Sequence, residues 1–227
     1  MLDDFVSLIY PNVCSGCSRP LLKHENTICL HCKTKLPFTH FHDDPHNMIE
    51  KIFWGRVPVE AASCLAYFYK RGLIQNMMHQ LKYKDRTEVG VDLGKIAGFQ
   101  LANSKRFSGV DLVIPIPMHP RKRKKRGYNQ CTFIAKGIAE PLNAGVNEVA
   151  LTKTDDTASQ TRKSKFNRWL NVKSVFNLER PQDIEGKRVL LIDDVVTTGA
   201  TLEAAGQTLL QAKNVELNIF TIAHARK

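Results

Sequence analysis

The chain has 227 residues, 43% of them hydrophobic, with 33 basic and 22 acidic side chains and a formal charge of +11. That length suffices for one full domain plus a smaller module, and the apolar content excludes global disorder. The charge surplus favours polyanionic partners, whether phosphates, nucleic acid or an anionic membrane surface, without choosing among them.

Leu2, Phe5, Val6 and Ile9 share one helical face, which predicts a short helix over 2–9. The opening MLDDFVSLIY carries acids early and lacks the basic start and apolar core of a signal peptide. No apolar run approaches the roughly 20 residues of a membrane span. A reducing cytoplasm is the expected compartment, so the six cysteines are not read as three disulfides. Four of them, Cys14, Cys17, Cys29 and Cys32, form two C-x2-C pairs separated by eleven residues. Two such turns can each supply a pair of thiolates to one tetrahedral ion, and four closed thiolates imply a structural Zn2+. The disulfide alternative needs an oxidising compartment, and a redox C-x-x-C belongs to a βαβ setting that this region lacks. A segment this short needs such a staple, so residues 1–45 are expected to form a zinc knuckle module and 46–227 the main domain. His40, His42 and His46 follow in THFHDDPH; between a second metal site and a solvated linker, Asp43, Asp44 and Pro45 favour the linker.

Val59–Tyr69 reads as a strand, with Cys64 a small buried residue, and 72–83 and 87–102 have helical spacing. Lys82, in LKYKDR, is placed either to reach a phosphate from a helix end or to sit exposed on the helix. Asp111–Ile116 (DLVIPI) is a second buried strand, ended by Pro115 and Pro117. The segment after it, MHPRKRKKRGYNQ, is read as a loop. If its strand neighbours the strand at 189–194, it borders the same pocket and could hold pyrophosphate. Arg121, Lys122, Arg123, Lys124, Lys125 and Arg126 cannot all converge on one pyrophosphate, so most of them read as a solvated run or a surface for nucleic acid. Arg126–Gln130 combines a cation, a hinge, an aromatic plate and two amides, a set suited to stacking a base or positioning a substrate. A helix over 129–140, with Cys131 buried at its start, stops before Pro141. Glu148–Thr152 is a strand. The polar stretch 153–170 is long enough to be a lid, bringing Lys153, Arg162, Lys163 and Arg168, or else it is simply disordered. Ser174–Leu178 is a short strand.

Val189–Leu202 reads VLLIDDVVTTGATL. Its apolar run fits a strand buried on both faces of a parallel sheet. Asp193 and Asp194 then fall at the carboxyl end, where open α/β sheets bind ligands. Thr197, Thr198, Gly199, Ala200 and Thr201 can wrap N–H groups and hydroxyls around a phosphate at a helix N-terminus. A ribose 5-phosphate satisfies both features. A helix over 200–213 and a strand over 215–223 close the pattern, and the alternation of strands with helices argues a parallel α/β sheet.

A hydrophobic strand, two acids, two variable residues and Thr-Thr-Gly-x-Thr resemble the phosphoribosyl pyrophosphate (PRPP) signature of type I phosphoribosyltransferases. That resemblance implies that Asp193 and Asp194 hold the ribose 2′- and 3′-hydroxyls and that Thr197–Thr201 bind the 5-phosphate. It also implies a pyrophosphate loop over Ile116–Pro120, hence Pro117, Met118 and His119, and a flexible catalytic loop over 153–170. The wider order, YPNVCSGC…CLHC, HQLKYKDR, DLVIPIPMHPRKRKKRGYNQ, Gln160…Arg168…Asn171…Phe176 and then the signature, resembles the ComF/GntX family. Membership implies a type I phosphoribosyltransferase fold with a small N-terminal zinc-binding module. It further implies PRPP bound with Mg2+, and in some members an association with DNA uptake and natural transformation. Lys153 stands where the pattern leads one to expect arginine. The expected protein binds or transfers a 5-phosphoribosyl group to an acceptor the sequence does not name. The alternative is a non-catalytic single-stranded DNA-binding module using 121–126 with Tyr128, Phe133 and Trp169 nearby.

Overall fold

The computed structural model describes residues 12–153 and 175–225. The helix expected over 2–9 and the lid beyond Lys153, with Arg162, Lys163 and Arg168, lie outside them.

The apolar run before the paired acids forms the centre of a sheet. The strands are β1 (Ala61–Tyr67), β2 (Leu112–Pro115), β3 (Gly145–Val146), β6 (Arg188–Val196) and β7 (Glu216–His224), in the order β1-β7-β6-β2-β3, all pairs parallel. Strands buried on both faces explain why VLLI shows no polar alternation. Val189 and Leu191 pack on one side, and Leu190 and Ile192 on the other. The two remaining strands, β4 (Leu151–Lys153) and β5 (Phe176–Leu178), stand apart as an antiparallel ribbon.

The helices are α1 (Leu30–Thr34), α2 (Met48–Phe53), α3 (Leu73–Tyr83), α4 (Thr87–Ala102), α5 (Pro120–Arg126), α6 (Gln130–Leu142) and α7 (Ala200–Leu209). Buried residues of α3, α4 and α6 fill one core, and those of α2 and α7 the other. Helices α4 and α6 cross with their backbones in contact: a Cβ on Gly137 would stand 2.2 Å from the Val91 carbonyl oxygen, and one on Gly94 2.3 Å from that of Ile134. Helix α6 runs past its expected stop to Leu142. Pro141 sits in the last turn, its ring fits where Gly98 has no side chain, and Asn143 closes the helix at φ +51°.

The basic segment expected to be a loop is helix α5. Pro120 occupies its first turn, the His119 side chain accepts from Arg121 N at 3.2 Å, and Gly127 ends it at φ +86°. Arg121–Lys125 are exposed.

The cysteine segment is tied to this framework. Gly16 abuts Met77 and Leu73 of α3, Asn76 Nδ2 donates to Gly16 O at 2.9 Å, and Arg86 donates to Val13 O at 3.0 Å. Thr27 Oγ1 donates to Asp92 of α4 at 2.5 Å. Cys14, Ile28, Cys29 and Cys32 share the α3–α4–α6 core. The histidine segment is solvated over most of its length, as expected of a linker, with His40 and Asp43–His46 exposed, and His42 is the exception. His42 is buried, its carbonyl accepts from Ser104 Oγ at 2.9 Å, and Thr39 N donates to Leu65 O of β1 at 3.1 Å. Backbone pairing to the sheet edge explains the burial, and pairing of that kind leaves no mark in composition. No helix among the described residues is long and apolar enough to cross a membrane.

Candidate functional site

Parallel pairing of β2 with β6 matches Leu112 with Val189 and Pro115 with Ile192, and Ile116 N donates to Ile192 O at 2.9 Å. Pro117–His119, which leave β2, therefore meet Asp193–Asp194 towards the end of β6. This is the carboxyl edge of an open α/β sheet.

The N-terminus of α6 faces the acids. Asn129 caps it, accepting from Cys131 N at 3.1 Å and donating to Ile116 O at 2.9 Å. Gln130 Nε2 donates to Asp194 Oδ2 at 3.0 Å, and Cys131 Sγ lies 3.5 Å from Asp193 Oδ1. Asp193 Oδ1 also accepts Asp194 N at 2.8 Å. Lys82, from the end of α3, forms an ion pair with Asp194 Oδ2. Burial and the adjacent Asp194 charge push the Asp193 carboxyl up from 3.8 to about 7. Burial, with the two carboxylates, holds the Cys131 thiol well above its ordinary range, so it is an inert neighbour rather than a nucleophile.

A cavity of about 330 Å³ opens over the acids. Asp193, Asp194, Lys82, Pro117, Met118, His119, Arg126, Lys153 and Thr201 all line it, as do Lys122, Gln130 and Cys131. A smaller cavity of about 40 Å³ lies beside it, lined by Asp193 and by Val195–Leu202, including Thr197, Thr198, Gly199, Ala200 and Thr201. Asp193 and Thr201 border both, so acid pair and cradle are contiguous. A further cleft of about 430 Å³ shares Lys82, Tyr83, Lys122 and Arg126 with the first and adds Asp85, Lys125 and Tyr128. The structure thus brings together the acids, the threonine loop, Pro117–His119, Arg126, Lys82 and Lys153. Arg168 lies outside the described residues.

The cradle is braced from behind by a residue that sequence reasoning missed. Gly199 adopts φ +74°, and a Cβ there would stand 2.5 Å from Ile52 Cγ2, so α2 packs directly against the turn. Arg56, just after α2, donates to Ile52 O at 2.9 Å and Thr198 O at 2.8 Å, and pairs with Glu203 of α7. Tyr128, the expected aromatic plate, is half-buried and anchored. Its hydroxyl donates to Leu81 O and its ring packs edge-on to Phe133, 5.5 Å between centroids. Arg126 lies over the Tyr83 ring and donates to Gln130. These contacts hold the Arg126–Gln130 segment to the fold, while Arg126, Asn129 and Gln130 still line the acid cavity and Tyr128 the 430 Å³ cleft.

The four knuckle sulfurs lie within 4.8 Å of one another, the one group of three or more such side chains among the described residues close enough to share an ion. Thiolates bound at 2.3 Å to a tetrahedral Zn2+ stand about 3.8 Å apart, and Cys17 Sγ and Cys29 Sγ are 3.8 Å apart. Burial works against the Cys14 thiolate, but N–H groups of Cys29, Cys17 and Gly16 outweigh it and bring the thiol down to about 7. Cys29 N and Gly16 N approach Cys14 Sγ at 3.3 and 3.4 Å. The donor set fits a metal ion held by four thiolates.

Residues 129–227 match the phosphoribosyl transferase domain. With the parallel sheet, that match defines the class: a protein of the type I phosphoribosyltransferase fold carrying a small four-cysteine module at its N-terminal end. Over 203 residues the chain is 30% identical to DNA utilization protein YhgH of Escherichia coli K12, covering 88% of this chain and 84% of that one. It is 22% identical over 217 residues to Competence protein F of Haemophilus influenzae, covering 94% and 90%, and 25% identical over 221 residues to Competence protein ComFC of Bacillus subtilis, covering 89% and 86%. The chain belongs to the ComF-type family of these proteins.

Proposed function

We propose that the acid-lined cavity and its cradle bind PRPP and that the protein transfers its phosphoribosyl group, or holds the ligand, in support of DNA uptake. The observation that carries this reading is the contiguity of two chemically different cavities across Asp193 and Thr201. The 40 Å³ cradle of amides and hydroxyls suits one phosphate. The neighbouring carboxylates suit a vicinal diol, and the 330 Å³ cavity with Lys82, Lys122, Arg126 and Lys153 suits a diphosphate. PRPP carries these groups in that order. The carboxylates of Asp193 and Asp194 orient the ribose and favour positive charge developing at C1′ as the diphosphate departs. Mg2+, when bound with the diphosphate, neutralises leaving-group charge, and the two aspartates offer the hard oxygens it prefers. At the knuckle, Cys14, Cys17, Cys29 and Cys32 hold a structural Zn2+. The DNA link rests on the names of the relatives, and the cytoplasm is the compartment that fits reduced thiolates.

Calorimetric titration of PRPP with Mg2+ tests the reading. Asp193→Asn with Asp194→Asn abolishes the binding heat; unchanged binding refutes the site. A second reading, a single-strand DNA surface, is favoured by the five exposed cations of Arg121–Lys125 on α5. It requires a strongly salt-dependent affinity for single strands that vanishes when those five are neutralised.

A further inference from the structure

The Lys82 ammonium sits on Asp194 Oδ2, and Gln130 Nε2 donates to the same oxygen at 3.0 Å. The lysine side chain is 23% exposed and the aspartate 11%. One of the two Asp194 carboxylate oxygens is therefore already engaged, and by two donors. We infer that Lys82 is a selector: it releases Asp194 only to a ligand that brings a diphosphate into the same cavity, so the site prefers PRPP to ribose 5-phosphate. This rests on the PRPP reading above and adds to it a specificity-determining residue.

Opening a part-buried ion pair leaves two adjacent carboxylates without their cation, which is costly unless the lysine finds another anion. Ribose 5-phosphate offers none there. Its phosphate belongs in the Thr197–Thr201 cradle, on the far side of Asp193 from Lys82 in the order of the cavities. A diphosphate on C1 falls among Lys82, Pro117–His119, Lys122 and Arg126, where the displaced ammonium meets new oxygens. Lysine suits this exchange, being a point charge on a flexible four-carbon stem. The 430 Å³ cleft that Lys82 also lines gives that stem room to turn; Asp85 on its wall is a single carboxylate, a weaker draw than the several oxygens of a diphosphate.

Calorimetric titration of PRPP and of ribose 5-phosphate, each with Mg2+, into wild type, Lys82→Met and Lys82→Arg tests the inference. In Lys82→Met the preference for PRPP falls roughly tenfold or more, the worth of one charge-assisted hydrogen bond. PRPP binds more weakly, while ribose 5-phosphate holds or gains affinity. Lys82→Arg keeps the preference. Equal losses for both ligands in Lys82→Met overturn the selector and leave the site reading standing. A wild-type protein that binds neither ligand overturns both. A measurement on wild type alone covers a Lys82→Met protein that does not fold. Inorganic pyrophosphate, by drawing Lys82 away, tightens ribose 5-phosphate binding; independence or competition between the two overturns the selector.

Discussion

Asp193→Asn should make the protein more stable above neutral pH while destroying its ligand site. The Asp193 carboxyl is pushed from 3.8 to about 7 by burial and by Asp194. A carboxyl raised in the folded state binds more protons there than in the unfolded chain. Its contribution is therefore fully favourable below about pH 4 and is lost as pH rises through about 7. A change from 3.8 to about 7 is worth about 4 kcal/mol at most, of which about 2–3 kcal/mol falls between pH 5 and pH 8. Asparagine does not titrate, and its carbonyl oxygen can still accept Asp194 N, which the aspartate accepts at 2.8 Å. The stability of the variant minus that of wild type should thus climb by about 2–3 kcal/mol from pH 5 to pH 8 and then level off. Urea unfolding of the metal-loaded proteins across that range measures the difference, in which titrations remote from Asp193 cancel. A difference flat to within about 0.5 kcal/mol, or one falling with pH, would refute the assignment of Asp193 as the strained partner of the pair.

Further outcomes follow from packing and capping. Gly137→Ala drives a methyl to 2.2 Å from the Val91 oxygen, so urea unfolding should show a loss of about 2–3 kcal/mol or more. Arg56→Ala removes its bonds to Ile52 O, Thr198 O and Glu203. It should cost about 1–3 kcal/mol and weaken ribose 5-phosphate binding severalfold, with metal content by atomic absorption unchanged. A zinc chelator should lower the thermal midpoint and expose Cys14, Cys17, Cys29 and Cys32 to a thiol reagent. Cys64 and Cys131, each 1% exposed, should stay protected until global unfolding.

What could be read from the sequence had a local cause. The run VLLIDD read as a strand buried on both faces with the two acids towards its end, as β6 is, the cysteine spacing predicted that four sulfurs would gather, as they do, and the 3.6-residue period of 87–102 matched α4 to the residue. What escaped had a remote cause or a masked one. Arg56 finds Thr198 and Glu203 across 142 and 147 residues, and no motif in FWGRVP foretells it. Helix α2 has six residues, too few to show a period. Helix α5 was hidden by its own charges, since neighbouring cations one turn apart oppose helix formation; yet Pro120 and Gly127 marked its two ends. Which way Lys82 and Tyr128 face is likewise set remotely, by how the end of α3 meets the segment before α6 and the acids of β6. That packing turns Lys82 into the acid pair and seals Tyr128 against Leu81.

The seating of Gly16 against Met77 and Leu73 has a practical corollary for anyone dissecting this molecule. A fragment trimmed of its first 45 residues would leave those side chains, with Ile74 nearby in the same core, open to water along one flank of α3. Such a flank invites self-association. Half-lives on storage and recovery from inclusion bodies, more than any binding assay, will register whether the cysteine segment is present and charged with its ion.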